Sequence, residues 1–400
     1  MRRVILRSLV VSLAGMLPLI AQNQNSQGDD QGGVLIPGSS IENPGDQGKN
    51  SHTNHLIHFR GNPHGTTPSG FSPSQLATAY GLGTSMTLGL GKTIAIVDAY
   101  DYPTAENDLN VFSSWWRLPA CTTNNGCFKL VYATKQPKAN CGWAQEAALD
   151  IEWAHAMAPD AKIVLVEAAS NSNADLFAAV DIATRAVVAG GGGAVSMSWG
   201  GSESSGETVY ETHFNGGSNG GSNVIYFAAS GDAGGKTIYP GTSPYVVSAG
   251  GTSLKLNPDY TIQSEMGWSG SGGGTSPYFG RPSYQDNIIS IVGTQRGVPD
   301  FSFVADPYTG VSVYDSTRCT GMEGWMVFGG TSVSSPSLAG IVTAAHPASS
   351  TTSELGNIYS GLGNPDYFND ITSGTAGMYS ATKGWDFVTG VGSNNGLFGK

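Results

Sequence analysis

Charge is scarce in this 400-residue chain: 12% of its residues are charged, 19 basic against 30 acidic, for a formal balance of −11. With so few cations it cannot neutralise a phosphate backbone or an anionic bilayer, which excludes nucleic acid and acidic membrane as main partners. No basic stretch interleaved with aromatics occurs. Long apolar runs are also lacking, and beyond residue 21 no segment approaches membrane-spanning length. Met1 to Ala21 reads as a secretory signal: Arg2, Arg3 and Arg7 precede an apolar Leu9 to Ile20, with Ala21 as a small residue for cleavage. Gly15 and Pro18 interrupt it as a span. The mature protein is expected to be exported, extracellular or periplasmic, with no membrane insertion once the signal is removed. Cysteine is rare, with four in all. Cys121 and Cys127 bracket a short turn-rich loop that one disulfide could close, leaving Cys141 and Cys319 as a second pair. Zinc is the rival reading, but the spacing fits no common zinc pattern.

Glycine is abundant, at 57 residues, and a hydrophobic share of 39% suffices for a large core. Residues 22–60 are polar and read as a flexible leader that cannot bury enough apolar surface to fold alone. His52, His55 and His58 recur there every third residue; a solvated linker explains them more simply than a metal site. Residues 61–400 then alternate apolar strands with helices. Thr93 to Asp98, Lys162 to Glu167, Ala194 to Ser198, Val224 to Ala229 and Val246 to Ala249 are strand-like; Trp143 to Met157 and Ala174 to Val188 are helical. Unbroken apolar strands predict a parallel sheet covered on both faces, a doubly wound α/β domain whose ligands gather beyond the carboxyl ends of the strands. Gly190 to Gly193 reads as a helix-to-strand loop, since no lysine follows in phosphate-loop spacing.

The chemistry-bearing residues fall at element ends. Gly329-Gly330-Thr331-Ser332-Val333-Ser334-Ser335-Pro336 delivers a serine to the start of an apolar helix, with Pro336 expected in the first turn. A serine there sits beside unpaired backbone N–H groups, which suits either a helix cap or a nucleophile whose reaction makes an oxyanion. A nucleophile needs a base. His64 precedes the first strand and adjoins the polar leader. His155 lies five residues past Asp150, about 140° around the helix. Glu146 and Asp150 are four apart, hence on one face of a largely apolar helix, either turned to solvent or sharing a proton. A third carboxylate, Asp232, stands in the tight turn Ser230-Gly231-Asp232 just past a strand. Together these residues suggest a serine whose base is a carboxylate.

From about Phe71 to Gly392 the chain resembles the sedolisin family of serine-carboxyl peptidases, which share the subtilisin fold. The likeness rests on Glu146-Ala-Ala-Leu-Asp150, Ser230-Gly231-Asp232 and Gly330-Thr331-Ser332-Val-Ser-Ser-Pro336, in that order. It implies a single catalytic domain and the roles of four residues: Ser332 as nucleophile, Glu146 as general base and acid, Asp150 as the carboxylate holding Glu146, and Asp232 as oxyanion partner. Ser198, Trp199, Gly200 and Gly201 resemble the strand edge that pairs with substrate.

The resemblance also implies one calcium ion held by Asp370 and Asp386 with the carbonyls of Ile371, Thr382 and Gly384, a hard-oxygen set. It implies a monomer acting on proteins or peptides. Family members carry a large N-terminal prodomain where this chain has a short polar leader, which puts zymogen control and self-cleavage in doubt. A carboxylate base has a reference pKa near 4.3, and Asp232 can donate only while protonated, so activity is expected in acid. The competing expectations are a calcium-stabilised binding or surface protein without activity, and a neutral subtilisin-like protease with a histidine base.

Overall fold

The computed structural model describes residues 33–59, 64–83, 88–215, 222–345 and 347–400. The proposed signal and the start of the leader lie outside these. Seven parallel strands form the centre of a ten-stranded sheet: β1 (Thr93–Ala99), β2 (Phe128–Tyr132), β3 (Lys162–Ala168), β4 (Gly193–Met197), β5 (Val224–Ala229), β6 (Val247–Leu256) and β7 (Phe301–Val304). Their spatial order is β7-β6-β5-β4-β1-β3-β2. Side chains alternate across this sheet. Ile94, Ile96, Ile163, Leu165, Ile225 and Phe227 enter one core with helices α1 (Cys141–Met157) and α3 (Thr331–Ala344). Ala95, Val97, Val164, Val166 and Tyr226 enter the other with α2 (Asn173–Ala189). Both faces are therefore buried, as the unbroken apolar strands predict. Strands β2 and β7 have no counterpart among the expected ones; β2 lies at a sheet end with only Phe128 buried, and β7 is only four residues long.

The expected helices form within two residues of their predicted limits. Asn140 caps α1 through its side chain, accepting from the N–H groups of Gly142 and Trp143. From Gly142 to Met157 every residue of α1 is buried, so the reading that turns Glu146 and Asp150 to solvent does not hold. Gly190 ends α2, and the run after it returns the chain to β4. A Cβ on Gly193 would lie 2.1 Å from the Thr93 carbonyl, which explains a glycine at that point.

An antiparallel hairpin, Val311–Cys319 with Met322–Gly329, leads directly into α3. Cysteines pair as expected, Cys121 with Cys127 and Cys141 with Cys319. The second bridge fastens the first residue of α1 to the end of a hairpin strand. Among the described residues no helix is long and apolar enough to cross a membrane.

The segment read as a flexible leader is folded from residue 33 onward. Val34–Leu35 pairs with Leu56–His58, which in turn pairs with the hairpin strand at Val327 to Gly329. His52–Thr53 pairs antiparallel with Trp199–Ser202. Backbone pairing supplies most of its contacts, and Ile57 alone of its side chains enters the main hydrophobic core. His55 and His58 are buried, and His52 faces Glu42, so the three histidines are no solvated run.

Candidate active site

Helix α3 begins at Thr331, which makes Ser332 its second residue and places Pro336 in the second turn rather than the first. Two consequences follow from backbone chemistry. The N–H of Ser332 has no partner within the helix, as for every early helical position. Its carbonyl loses the bond that residue 336 would donate, because proline has no N–H. Ser198 Oγ stands 3.4 Å from that carbonyl, with its proton on the shorter bond to Asp150. Gly330 caps the helix at φ +97°, and a Cβ there would stand 2.1 Å from the Asn54 carbonyl oxygen and 2.5 Å from Asp232 Oδ2. Only glycine leaves this cradle open.

Into it fits the Asn54 carbonyl. The Ser332 N–H donates to the Asn54 carbonyl at 3.0 Å. The Asn54 N–H meets three acceptors: the Ser198 carbonyl at 3.1 Å, Ser332 Oγ at 3.1 Å and Glu146 Oε2 at 3.2 Å. Ser332 Oγ itself donates to the Ser198 carbonyl at 3.2 Å. Glu146 Oε2 lies 2.9 Å from His55 Nδ1, and the His55 ring stacks on Phe328. Ser332, Glu146, Asp150 and His55 are all fully buried under this segment.

Behind Glu146 the acid groups are crowded. Asp150 Oδ1 accepts from Ser198 Oγ at 2.7 Å, while Asp150 Oδ2 and Glu146 Oε1 have no hydrogen-bond partner. Asp98, which the sequence reading left out, ends β1 on the same side as Ile94 and Ile96, and neither of its oxygens has a partner. Burial raises the Asp98 carboxyl well above its ordinary range, with Glu146 and Glu167 adding to it. Burial does the same for Asp150, reinforced by Asp98 and Glu146 and opposed by Ser198. Unpaired, buried and mutually repelling carboxyls hold protons rather than charge.

Asp232 stands on the other side of Ser332. Its Oδ1 accepts from the Thr331 N–H and hydroxyl, both at 2.8 Å. Its Oδ2 has no partner and shares the Gly330 cradle with the Asn54 carbonyl. Burial pushes Asp232 up to about 7, against the two Thr331 hydrogen bonds. Ser332 and Glu146 thus meet at Asn54, with Asp150 behind them through Ser198 and Asp232 beside the Gly330 cradle.

The histidine alternatives lie elsewhere. His155 donates to the Pro119 carbonyl at 2.9 Å beside the Cys121–Cys127 disulfide, and burial lowers it to about 4. His64 pairs with Glu323 on an exposed strand.

Ser198 to Gly201 do line a strand edge, and its partner is the chain's own His52–Thr53. The C-terminal loop gathers around its two aspartates. Gly384 N–H donates to Asp370, and Asp386 accepts from the N–H groups of Thr382, Val388 and Thr389. No backbone N–H among the described residues donates to the carbonyls of Ile371, Thr382 or Gly384. Two carboxylates and three unused carbonyls fit a hard cation.

No family model matches the chain. Individual proteins do. Kumamolisin of Bacillus sp. (strain MN-32) is 30% identical over 378 residues, covering 85% of this chain and 64% of that protein. Sedolisin of Pseudomonas sp. (strain 101) is 32% identical over 174 residues, covering 39% and 28%. Among solved structures, Pseudomonas sedolisin, a serine-carboxyl proteinase complexed with two molecules of pseudo-iodotyrostatin, superposes with a TM-score of 0.70 at 23% identity, covering 82% of this chain and 96% of that one. The chain is similar to sedolisin-family proteins over most of its length. It also has the subtilisin-like α/β fold of sedolisin. It spans less than two thirds of the length of the curated relatives it matches, 64% of kumamolisin and 28% of sedolisin.

Proposed function

We propose that this chain is an exported, acid-active serine-carboxyl peptidase of the sedolisin family with Ser332 as nucleophile. The observation that carries this is Asn54, whose carbonyl accepts from the Ser332 N–H while its own N–H, part of the preceding peptide bond, faces both Ser332 Oγ and Glu146 Oε2. A site that holds a main-chain carbonyl on a free helix N–H, beside a hydroxyl and a carboxylate, is arranged for acyl transfer.

In this reading Ser332 Oγ–H turns from the Ser198 carbonyl to Glu146, which takes its proton as the oxygen attacks the substrate carbonyl. The developing oxyanion receives the Ser332 N–H and the proton on Asp232 Oδ2. Glu146 then gives its proton to the departing amine, and water hydrolyses the ester by the same route. Asp150 and Glu146 present unpaired oxygens one helical turn apart, so a proton shared between them would hold Glu146 in place. Asp98 adds a further buried carboxyl behind them, with no hydrogen-bond partner of its own. Proteins and peptides are the substrates, bound as a strand along Ser198 to Gly201.

Asp370 and Asp386, with the carbonyls of Ile371, Thr382 and Gly384, would hold one calcium ion. Its contribution would be structural, clamping the C-terminal loop. Hydrolysis of a peptide mixture from pH 2 to 9 tests the proposal: activity confined to acid and absent in Ser332→Ala is expected. An optimum at pH 8 or above would contradict it.

A further inference from the structure

The histidine of α1 that lies away from Ser332 has two sulfurs for neighbours. His155 is fully buried near the end of α1, and its Nε2 donates to the Pro119 carbonyl at 2.9 Å. A carbonyl can only accept, so the proton sits on Nε2. Nδ1 is buried with no hydrogen-bond partner, and without an acceptor to hold a second proton it keeps its lone pair. One ring nitrogen of His155 and the sulfurs of Cys121 and Cys127 all lie within 4.8 Å of one another. Among the described residues no other group of three His, Cys, Asp or Glu side chains converges as closely. One sulfur is fixed and the other can adjust. Cys121 is buried, and its carbonyl accepts from Asn110 of the helix Ala105–Trp116 at 3.0 Å. Cys127 is half-buried at the end of the exposed turn Thr123 to Gly126.

In this structure the two sulfurs are joined, which satisfies them and leaves Nδ1 with nothing. We infer that Cys121, Cys127 and His155 form a zinc site once that disulfide is reduced. Two thiolates and an imidazole whose tautomer is fixed from behind by a carbonyl make a donor set that suits zinc. Reduction breaks the sulfur–sulfur bond and adds two electrons and two protons, giving two thiols. Zinc then displaces both thiol protons to solvent and takes Nδ1 as its third ligand. Water from the open side of Cys127 fills the fourth position. The disulfide closes the loop on itself, whereas zinc also ties it to α1, the helix that carries Glu146 and Asp150. A chain made in a reducing compartment and then exported, as proposed above, meets both states. The cysteine spacing fits no common zinc pattern because the third ligand comes from α1 rather than from the loop. Nothing in this depends on the peptidase reading.

The test uses the full Ser332→Ala chain at pH 7, with excess calcium to keep other cations from the C-terminal aspartates. The chain is reduced with a phosphine, which takes up the oxygen of one water per disulfide, and is freed of reductant without air. It is then titrated with zinc against a chromophoric chelator, and separately with cobalt(II). We expect one zinc per reduced chain, a thiolate-to-cobalt charge-transfer band and a Tm that zinc raises, with none of the three in the oxidised chain. If reduction alone melts the chain, zinc should restore the transition. His155→Ala should weaken zinc binding by at least about 10- to 100-fold. The double variant Cys121→Ser, Cys127→Ser should show no cobalt band. A band that persists in that variant puts the metal on Cys141 and Cys319 and overturns the inference. Equal zinc affinity in His155→Ala overturns the third ligand and with it the site. A reduced chain that takes up no zinc, or whose melting zinc does not move, overturns it as well.

Discussion

Ser332 and Asn54, 278 residues apart in sequence, hold each other twice: the Ser332 N–H on the Asn54 carbonyl at 3.0 Å, and the Asn54 N–H against Ser332 Oγ at 3.1 Å. The first contact is available only because Ser332 is the second residue of its helix, where no intrahelical acceptor competes. The second places the hydroxyl against the amide that precedes that carbonyl in the chain. Gly330 makes both possible by leaving room for the Asn54 carbonyl.

Asp232 should set the alkaline limit of activity. Its Oδ2 can donate to an oxyanion only while protonated, and burial pushes it to about 7. The donor is therefore present below that pH and lost as pH rises through it. Asp232→Asn keeps an acceptor for Thr331 and donates through its amide at any pH. Its rate profile should extend above pH 7, whereas Asp232→Ala should lose about 10²- to 10³-fold in kcat. An unchanged alkaline limb in Asp232→Asn would remove Asp232 from that role.

Folding stability should fall as pH rises. Burial lifts Asp315 to about 7 and Glu167 to about 8, as it does Asp232. Each has its ordinary value only when unfolded, so the folded state binds more protons between about pH 4 and 8. The stabilisation is complete below the unfolded values and is lost through the folded ones. Thermal unfolding of Ser332→Ala, with calcium fixed, should give a Tm lower by more than about 3 °C at pH 8 than at pH 4. An equal or higher Tm at pH 8 would contradict this.

The buried pair of Arg296 and Asp300 should be indispensable to the fold. Both guanidinium nitrogens reach Asp300, at 2.7 and 2.6 Å, and Asp300 also accepts from the Ser248 N–H and the Tyr359 hydroxyl. Asp300→Ala leaves a buried cation unpaired, at a cost of about 3–5 kcal/mol. Urea unfolding of that variant in the Ser332→Ala background measures it, and a loss below about 1 kcal/mol would show that the pair is dispensable.

Chelation should loosen the C-terminal loop. If Asp370 and Asp386 hold calcium there, excess chelator lowers the Tm of Ser332→Ala, and added calcium restores it. Asp370→Asn should lower the Tm without chelator and respond little to it. A melting curve indifferent to both would leave the two aspartates as turn residues.

Much of this was legible beforehand. The apolar runs of β1 and β3 to β6 carry their parallel, doubly covered state on their face, and Glu146, Asp150, Asp232 and Ser332 each lie at a turn or on a helix stripe that the spacing reveals. Asp98 was legible too, since its two-residue period with Ile94 and Ile96 points it at α1. The folded segment at residues 33–59 was not. Its contacts are made by main-chain groups of a polar stretch, and nothing in side-chain periodicity reports a strand that pairs with an edge 150 or 270 residues away. Pro336 misled by one turn, because a proline inside a helix and one at its start look alike until the helix limits are known.

The most direct measurement compares pH–rate profiles of Glu146→Gln and His55→Ala on an added peptide. These two side chains touch, at 2.9 Å, and only one can be the base. The account predicts that Glu146→Gln loses activity by at least about 10³-fold at every pH, while His55→Ala keeps acid activity within about 10-fold. Activity that survives Glu146→Gln and disappears in His55→Ala would move the base to histidine and contradict the account.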